Sequence, residues 1–243
     1  MKMPTKQTLA KAAILFLGLV LIGWLLYQEP WVREKVVALA GECGEPAVPF
    51  LRHALQDENH FVRLQATQAL RAIGADAVPS LSASLRDGNS QVRSEAAYAL
   101  AMVGDKAKSA LPILIETFKK DRNNKTRGHV VRALALMGKD AQEAIPVLLP
   151  AVKDPDAAIR ANVVEALSVI GSHGEVESVV LVLVGALSDE DATVRAEAAE
   201  GLGRIGPRAK AGIEALTKAG EDPNARVRRE AAEALATIGR VKQ

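Results

Sequence analysis

Alanine and branched aliphatic residues recur along this chain at intervals of three and four, in blocks bounded by aspartate and glycine, and the blocks themselves recur. Val92, Ala96, Ala99, Leu100 and Val103 form one such stripe, the period of a helix with one buried side. In the same register an arginine stands at Arg33, Arg63, Arg93, Arg127, Arg160, Arg195 and Arg228, and a glycine follows each eleven positions later, at Gly44, Gly74, Gly104, Gly138, Gly171, Gly206 and Gly239. Six residues before the last six arginines lies an aspartate: Asp57, Asp87, Asp121, Asp154, Asp189 and Asp222. The pattern predicts one helix per block. The aspartate caps its start, Pro155 and Pro223 take the first helical position where present, and the glycine closes it.

A second apolar stretch follows each glycine except the last: AVPFLRHAL, AVPSLSASL, ALPILIETF, AIPVLLPAV, SVVLVLVGAL and AGIEALTKA, four of the six with proline near the first turn. Each unit is therefore a helical hairpin. A spacing of 30 to 35 residues between successive arginines means a solenoid, whose units fail to bury an apolar face alone and stack into one continuous core. With helices ~8–10 Å apart, seven units would run on the order of 60 Å. The seventh has its first helix, roughly residues 224 to 238, without a second, which would leave a flank open to end-to-end docking.

These residues carry a resemblance. The aspartate, the Val–Arg or Ile–Arg pair that follows it, the succeeding alanines and the apolar residue before glycine resemble the HEAT repeat family, most of all the short variety named after phycobilisome lyases. The resemblance spans roughly residues 31 to 239. It implies an all-α solenoid in which aspartate and arginine bond between successive units as a ladder, a structural role for Asp57, Arg63, Asp87, Arg93, Asp121, Arg127, Asp154, Arg160, Asp189, Arg195, Asp222 and Arg228. Two departures stand out: Tyr27 where the first unit should have its aspartate, and Thr126 in place of the apolar residue before Arg127. The subtype also implies an alternative function, a tetrapyrrole-chromophore lyase or related modification factor.

Composition fits small residues packed between close helices, with 49% hydrophobic and only 3% aromatic residues. The formal charge of +2 includes Lys2, Lys6 and Lys11, and without them 28 basic residues face 29 acidic ones. A near-neutral body argues against nucleic-acid binding and against a DNA-repair solenoid.

The amino terminus is of another kind. Residues 9–27 read LAKAAILFLGLVLIGWLLY with Lys11 the one charge, a run of ~28 Å as helix against a hydrocarbon thickness of ~30 Å. Trp24, Tyr27 and Trp31 fall where aromatic rings anchor the far boundary. The chain thus divides into a tail and transmembrane anchor over 1–28 and a solenoid over 29–243. A cleaved signal peptide and a buried first helix are the competing readings. Against cleavage, the Ala38-Leu39-Ala40 site lies inside the first unit. Against burial, the run is apolar on all faces. Lys2, Lys6 and Lys11 before the span, against Arg33 and Lys35 after it, favour a cytoplasmic N-terminus and a solenoid outside the cytoplasm, periplasmic in a bacterium. Glu29-Pro30 would hold the first unit near the membrane, beside a membrane-proximal partner.

Candidate chemistry is sparse. Cys43, the single cysteine, falls in the column of Ile73, Val103, Met137, Ile170, Ile205 and Ile238 and reads as core. One cysteine forms no internal disulfide and no cysteine-based zinc site. His53, His60, His129 and His173 are scattered, and His129 shares a column with Lys35, Gln65, Glu95, Asn162, Glu197 and Glu230, a solvated helix face. Gly201-Leu202-Gly203-Arg204-Ile205-Gly206 is a formal G-x-G-x-x-G, but it ends a helix instead of following a strand, so no dinucleotide cofactor is expected. No catalytic constellation and no metal set is recognisable.

Two irregularities point to partner binding. In the second helices the column Phe50, Ser80, Ile113, Val147, Val182 and Ala215, with the nearby Ile115, Leu149 and Val184, is apolar through units three to five. It is expected to line a groove for a partner helix or loop, with tighter packing between units as the competing account. The basic stretch Lys119, Lys120, Arg122, Lys125, Arg127 and Arg132, with a separate group of Arg204, Arg208, Lys210, Arg226, Arg228 and Arg229, suits a bilayer or an acidic protein, and equally an ordinary solvated loop. The reading is a membrane-anchored, non-catalytic scaffold that binds protein.

Overall fold

Each first helix that has an aspartate begins three residues after it, not next to it. In the computed structural model, which describes residues 18, 29–174 and 176–239, the aspartate turns its carboxylate back onto the amide two positions on, as Asn59 N donates to Asp57 Oδ1 at 2.8 Å and Asp191 N to Asp189 Oδ1 at 2.9 Å. The backbone is still extended at that second residue, and its own side chain caps the helix. Asn59 accepts from Phe61 N, Asn89 from Gln91 N, Asn123 from Thr126 N, Asp156 from Ala158 N, and Asp191 and Asn224 from two amides each. Pro155 and Pro223 accordingly lie in the turn between aspartate and cap, a correction to the expectation that they open the helix. The cause is a double side-chain turn that delays helical dihedrals by two residues.

Glycine ends most of these helices by its backbone freedom: Gly44, Gly74, Gly104, Gly138 and Gly206 have φ between 55° and 76° with ψ between −126° and −145°, a positive-φ conformation that a Cβ disfavours. The expectation fails at two sites. Gly171 is itself helical, with Ser172 as the cap, and Gly239 has φ −72°. A short 3-10 turn leads from most first helices into the second, and proline opens the second helix in four units, where its missing amide costs no hydrogen bond.

The described chain falls into two compact units, Met1–Thr117 and Phe118–Gln243, and contains helices and no strand among the described residues. The first unit holds α1 (Pro30–Glu42), α2 (Val48–Ala54), α3 (His60–Ile73), α4 (Val78–Ser84) and α5 (Ser90–Val103), with most of α6 (Leu111–Lys120). There α1 packs on α3 and α3 on α5, while α2 and α4 each pack on the first helix that follows. The second unit holds the end of α6, then α7 (Asn124–Met137), α8 (Ile145–Leu148), α9 (Ala157–Gly171), α10 (Val176–Ala186), α11 (Ala192–Ile205), α12 (Ile213–Ala219) and α13 (Ala225–Ile238). In it α7, α9, α11 and α13 stack in sequence, with α10 and α12 against the next first helix. The architecture is the all-α repeat solenoid expected.

Fully buried leucines form the core of both units: Leu51, Leu70, Leu81 and Leu100 in the first, Leu134, Leu148, Leu167 and Leu183 in the second. Close approach between first helices depends on small residues. A Cβ on Gly41 would stand 2.8 Å from Ala69 Cβ, and one on Gly201 2.8 Å from Ser168 Cβ. Gly203 likewise meets Ala234, so the G-x-G-x-x-G motif is a packing seam in α11.

No helix among the described residues is long and apolar enough to cross a membrane. Apart from Gly18, the apolar run over residues 9–27 lies outside the described residues.

Candidate interaction surfaces

Where one unit's arginine meets the next unit's aspartate, the repeat places ionised groups inside the stack. Arg160 donates from Nε and Nη2 to the two carboxylate oxygens of Asp189 at 2.9 and 2.8 Å, and from Nη1 to the Asp154 carbonyl at 2.9 Å. Arg195 repeats this on Asp222 at 2.7 and 2.9 Å, with Nη1 on the Asp189 carbonyl. Arg33 meets Asp57 at 2.9 Å, and Arg127 meets Asp154. The side-chain pairing of these four arginines thus runs from one repeat to the next, while within a unit the aspartate offers its arginine a main-chain carbonyl, as Asp57 does for Arg63 and Asp87 for Arg93. Arg63 instead reaches Glu95 on α5 at 3.3 Å.

Burial pushes the Asp154 and Asp189 carboxyls upward, but hydrogen bonds from Arg127 and Arg160, the neighbouring amides and the arginine charges together hold both below the ordinary range. At Asp222 the Arg195 hydrogen bond dominates and lowers the carboxyl. These carboxylates stay ionised because each is paired and hydrogen-bonded.

The apolar column of the second helices divides by depth. Phe50 and Ile113 are 7% and 8% exposed and belong to the core, as the packing account expects. Val147 and Val182, with Leu149 and Val184, are half-buried and reach the surface. Val147 lines a cleft of about 550 Å³ with Phe118, Lys119, Pro150, Lys153 and Asp154. Its shape follows from Pro150: α8 stops at Leu148, and residues 149–153 continue as a 3-10 turn, because proline cannot supply the amide for the next helical bond. The Arg127 guanidinium lies 5.1 Å over the Phe118 ring and holds Asp154. That leaves Lys119 and Lys153 as the rim charges. One residue of the apolar column, Val147, and two of the basic stretch, Lys119 and Arg127, therefore share a site. A second cleft of about 550 Å³ lies between α10 and α12 and includes Val184, Ala215, Glu214 and Lys218.

The basic stretch does not form one patch. Lys119, Lys120, Arg122 and Lys125 are all exposed, but Lys125 lines a different cleft, about 690 Å³, between α7 and α9 with His129, Arg132, Leu136, Glu165 and Val169. His129 is half-buried there, where its column read as a solvated face. Positive Lys125 and Arg132 meet negative Asp156 and Glu165 across it, so the cleft carries no strong field. Sequence reading missed this wall because Gly128, which lets Asn162 and Ile159 approach, is informative only once α7 and α9 are neighbours. Cys43 is half-buried and not core. No cluster of metal-ligating side chains occurs among the described residues.

A family model described as HEAT repeats matches residues 20–101, 75–134, 111–184 and 180–243. Among solved structures, an engineered protein is 26% identical at TM-score 0.59, covering 85% of this chain and 96% of that one. The complex of CpcE and CpcF of phycocyanin lyase from Nostoc sp. PCC7120 is 23% identical at TM-score 0.59, covering 64% of this chain and 97% of that one. A designed armadillo repeat protein in complex with the peptide (KR)4 is 18% identical at TM-score 0.56, covering 79% and 99%. No curated protein matches.

Proposed function

The chain belongs to the HEAT repeat family, and from that premise we propose that it is a non-catalytic scaffold that binds a protein through its second helices and is held at a membrane by residues 9–27. The observation that carries the binding reading is the cleft around Val147. Its floor is apolar and its rim cationic, through Lys119 and Lys153, with the one carboxylate already engaged by Arg127. Such a site takes an extended or helical segment that inserts an apolar side chain and carries acidic residues beside it. The designed armadillo relative holds a peptide on the same class of fold, which supports segment recognition here.

The anchor rests on sequence: 19 residues with a single charge, preceded by Lys2 and Lys6, long enough to cross a bilayer. The lysine distribution supports a cytoplasmic N-terminus with the solenoid on the other side, close to a membrane-proximal partner.

The test compares the wild-type chain with Val147→Asp and Lys119→Glu, each recovered with its partners from mildly solubilised membranes. The same acidic-rich partner should be retained by wild type and lost from both variants at unchanged melting temperature. Equal recovery by all three, or unfolding of Val147→Asp, would remove the cleft from the account. The fold shared with the phycocyanin lyase complex supports a second reading, a chromophore-modification factor. Visible absorbance of an added open-chain tetrapyrrole, shifted by the protein and restored by competition, would favour it.

A further inference from the structure

The side that later first helices bury is partly exposed on α1. At the position just before the repeat arginine, Val62, Val92, Thr126, Ile159, Val194 and Val227 are at most 2% exposed. Three residues after the arginine, Ala66, Ala96, Val130, Val163, Ala198 and Ala231 are fully buried. The counterparts on α1 are Val32 and Val36, both half-buried. Six residues after the arginine the chain has alanine or glycine in every later unit, and at Ala69, Gly201 and Ala234 the preceding first helix approaches closely. On α1 that position is Leu39, 47% exposed. Val32, Val36, Leu39 and Cys43 follow helical spacing and so form one apolar side.

This side is not fitted to another repeat. Leucine in a column built for alanine would overpack against a neighbouring first helix, since at the next joint even a Cβ placed on Gly41 would stand only 2.8 Å from Ala69 Cβ. Its border is aromatic in a chain with few aromatic residues: Trp31 is 59% exposed, Phe61 at the equivalent place on α3 is 61% exposed, and Lys35 Nζ sits 5.4 Å over the Trp31 ring. Exposed tryptophan beside a lysine stem, around a patch of aliphatic side chains, is the composition that a lipid headgroup boundary accommodates.

Chain length supplies the occupant. Only Gln28 and Glu29 separate Tyr27 from Pro30 at the start of α1, so α1 begins within ~11 Å of the end of the apolar run. We propose that the open side of α1, from Trp31 through Leu39 with Phe61 beside it, lies against the bilayer surface, so that the first unit is seated on lipid while the later units stay free to bind. This rests on the reading of residues 9–27 as an anchor and adds an orientation to it.

The test uses the full chain in phosphatidylcholine and phosphatidylglycerol vesicles, with Trp24→Phe so that Trp31 is the single tryptophan. Lipids brominated high on the acyl chain should quench at least half of the Trp31 emission, and aqueous iodide should quench it several-fold less than it does free tryptophan. Leu39→Asp combined with Val36→Asp should reverse both while the chain still pellets with vesicles after alkaline carbonate. An anchored chain whose Trp31 is open to iodide and untouched by brominated lipid overturns the seating and leaves the anchor intact. Shielding from iodide without quenching by brominated lipid also overturns it, and assigns the side to a protein occupant such as a second copy. Extraction of the chain by carbonate overturns the anchor and this inference together.

Discussion

Arg160 shows what the repeat asks of a single residue. It is buried, yet charged, and it is tolerated because both carboxylate oxygens of Asp189 and the Asp154 carbonyl saturate its guanidinium. A buried pair of this kind is weak evidence for net stabilisation, but breaking one leaves an uncompensated charge inside the stack. Asp189→Asn is therefore expected to destabilise the second unit by ~3 kcal/mol, read as a lower denaturant midpoint. Glu214→Gln, which removes an exposed pair with Lys218, should leave that midpoint unchanged. The pairs also set an acid limit. Asp154, Asp189 and Asp222 are held below their ordinary values in the folded state, so the unfolded chain binds protons first as pH falls. Their contribution is complete above an unfolded pKa of ~3.9 and is lost as pH drops through the lower folded values. Thermal unfolding followed from pH 6 to pH 2 should show the midpoint falling below about pH 4, and less steeply in Asp189→Asn.

At the scale of the element, the helix starts were only partly legible in sequence. Aspartate, arginine and glycine spacings identify every first helix, and proline identifies four of the second helices, because those residues act through local dihedrals. The true caps Asn59, Asn89, Asn123, Asp156, Asp191 and Asn224 stand in plain sequence two places after each aspartate, but aspartate itself is an equally good cap, and only the observed turn decides between them. Burial was less legible for a different reason. Phe50 and Val147 occupy the same column, yet one is core and the other lines a cleft, since depth depends on neighbouring helices, and the shortened α8 alters them. The caps allow a direct check: Asn59→Ala should cost ~1 kcal/mol, while Asn59→Asp should be nearly neutral. Gly206→Ala, at φ 68° and ψ −139°, should cost ~1–3 kcal/mol from backbone strain alone, whereas Gly171→Ala meets Val179 side-chain atoms at 2.8 Å and is opposed by packing, not by dihedral strain. Denaturant midpoints of the four variants separate the two causes.

For the molecule as a whole, the repeat plan implies that stability is passed between neighbours. Inside the second unit α9 and α11 each pack on the first helix before and the one after, so such a repeat's free energy is its own term plus two interface terms. Damage at one interface should then be felt locally and decay along the stack. Asp189→Asn weakens the joint between α9 and α11, and amide hydrogen exchange should rise most in those two helices, less in α7 and α13. A uniform rise across α7 to α13 would mean that the second unit opens only as one cooperative body, and the nearest-neighbour account would fail for it. The distinction bears on function, because a scaffold with graded stability can reshape one cleft around a bound segment without unfolding the rest. Val147 lies three repeats before Asp222, so Arg195→Gln, which breaks the joint to α13, should leave binding at the Val147 cleft within about twofold if coupling decays along the stack.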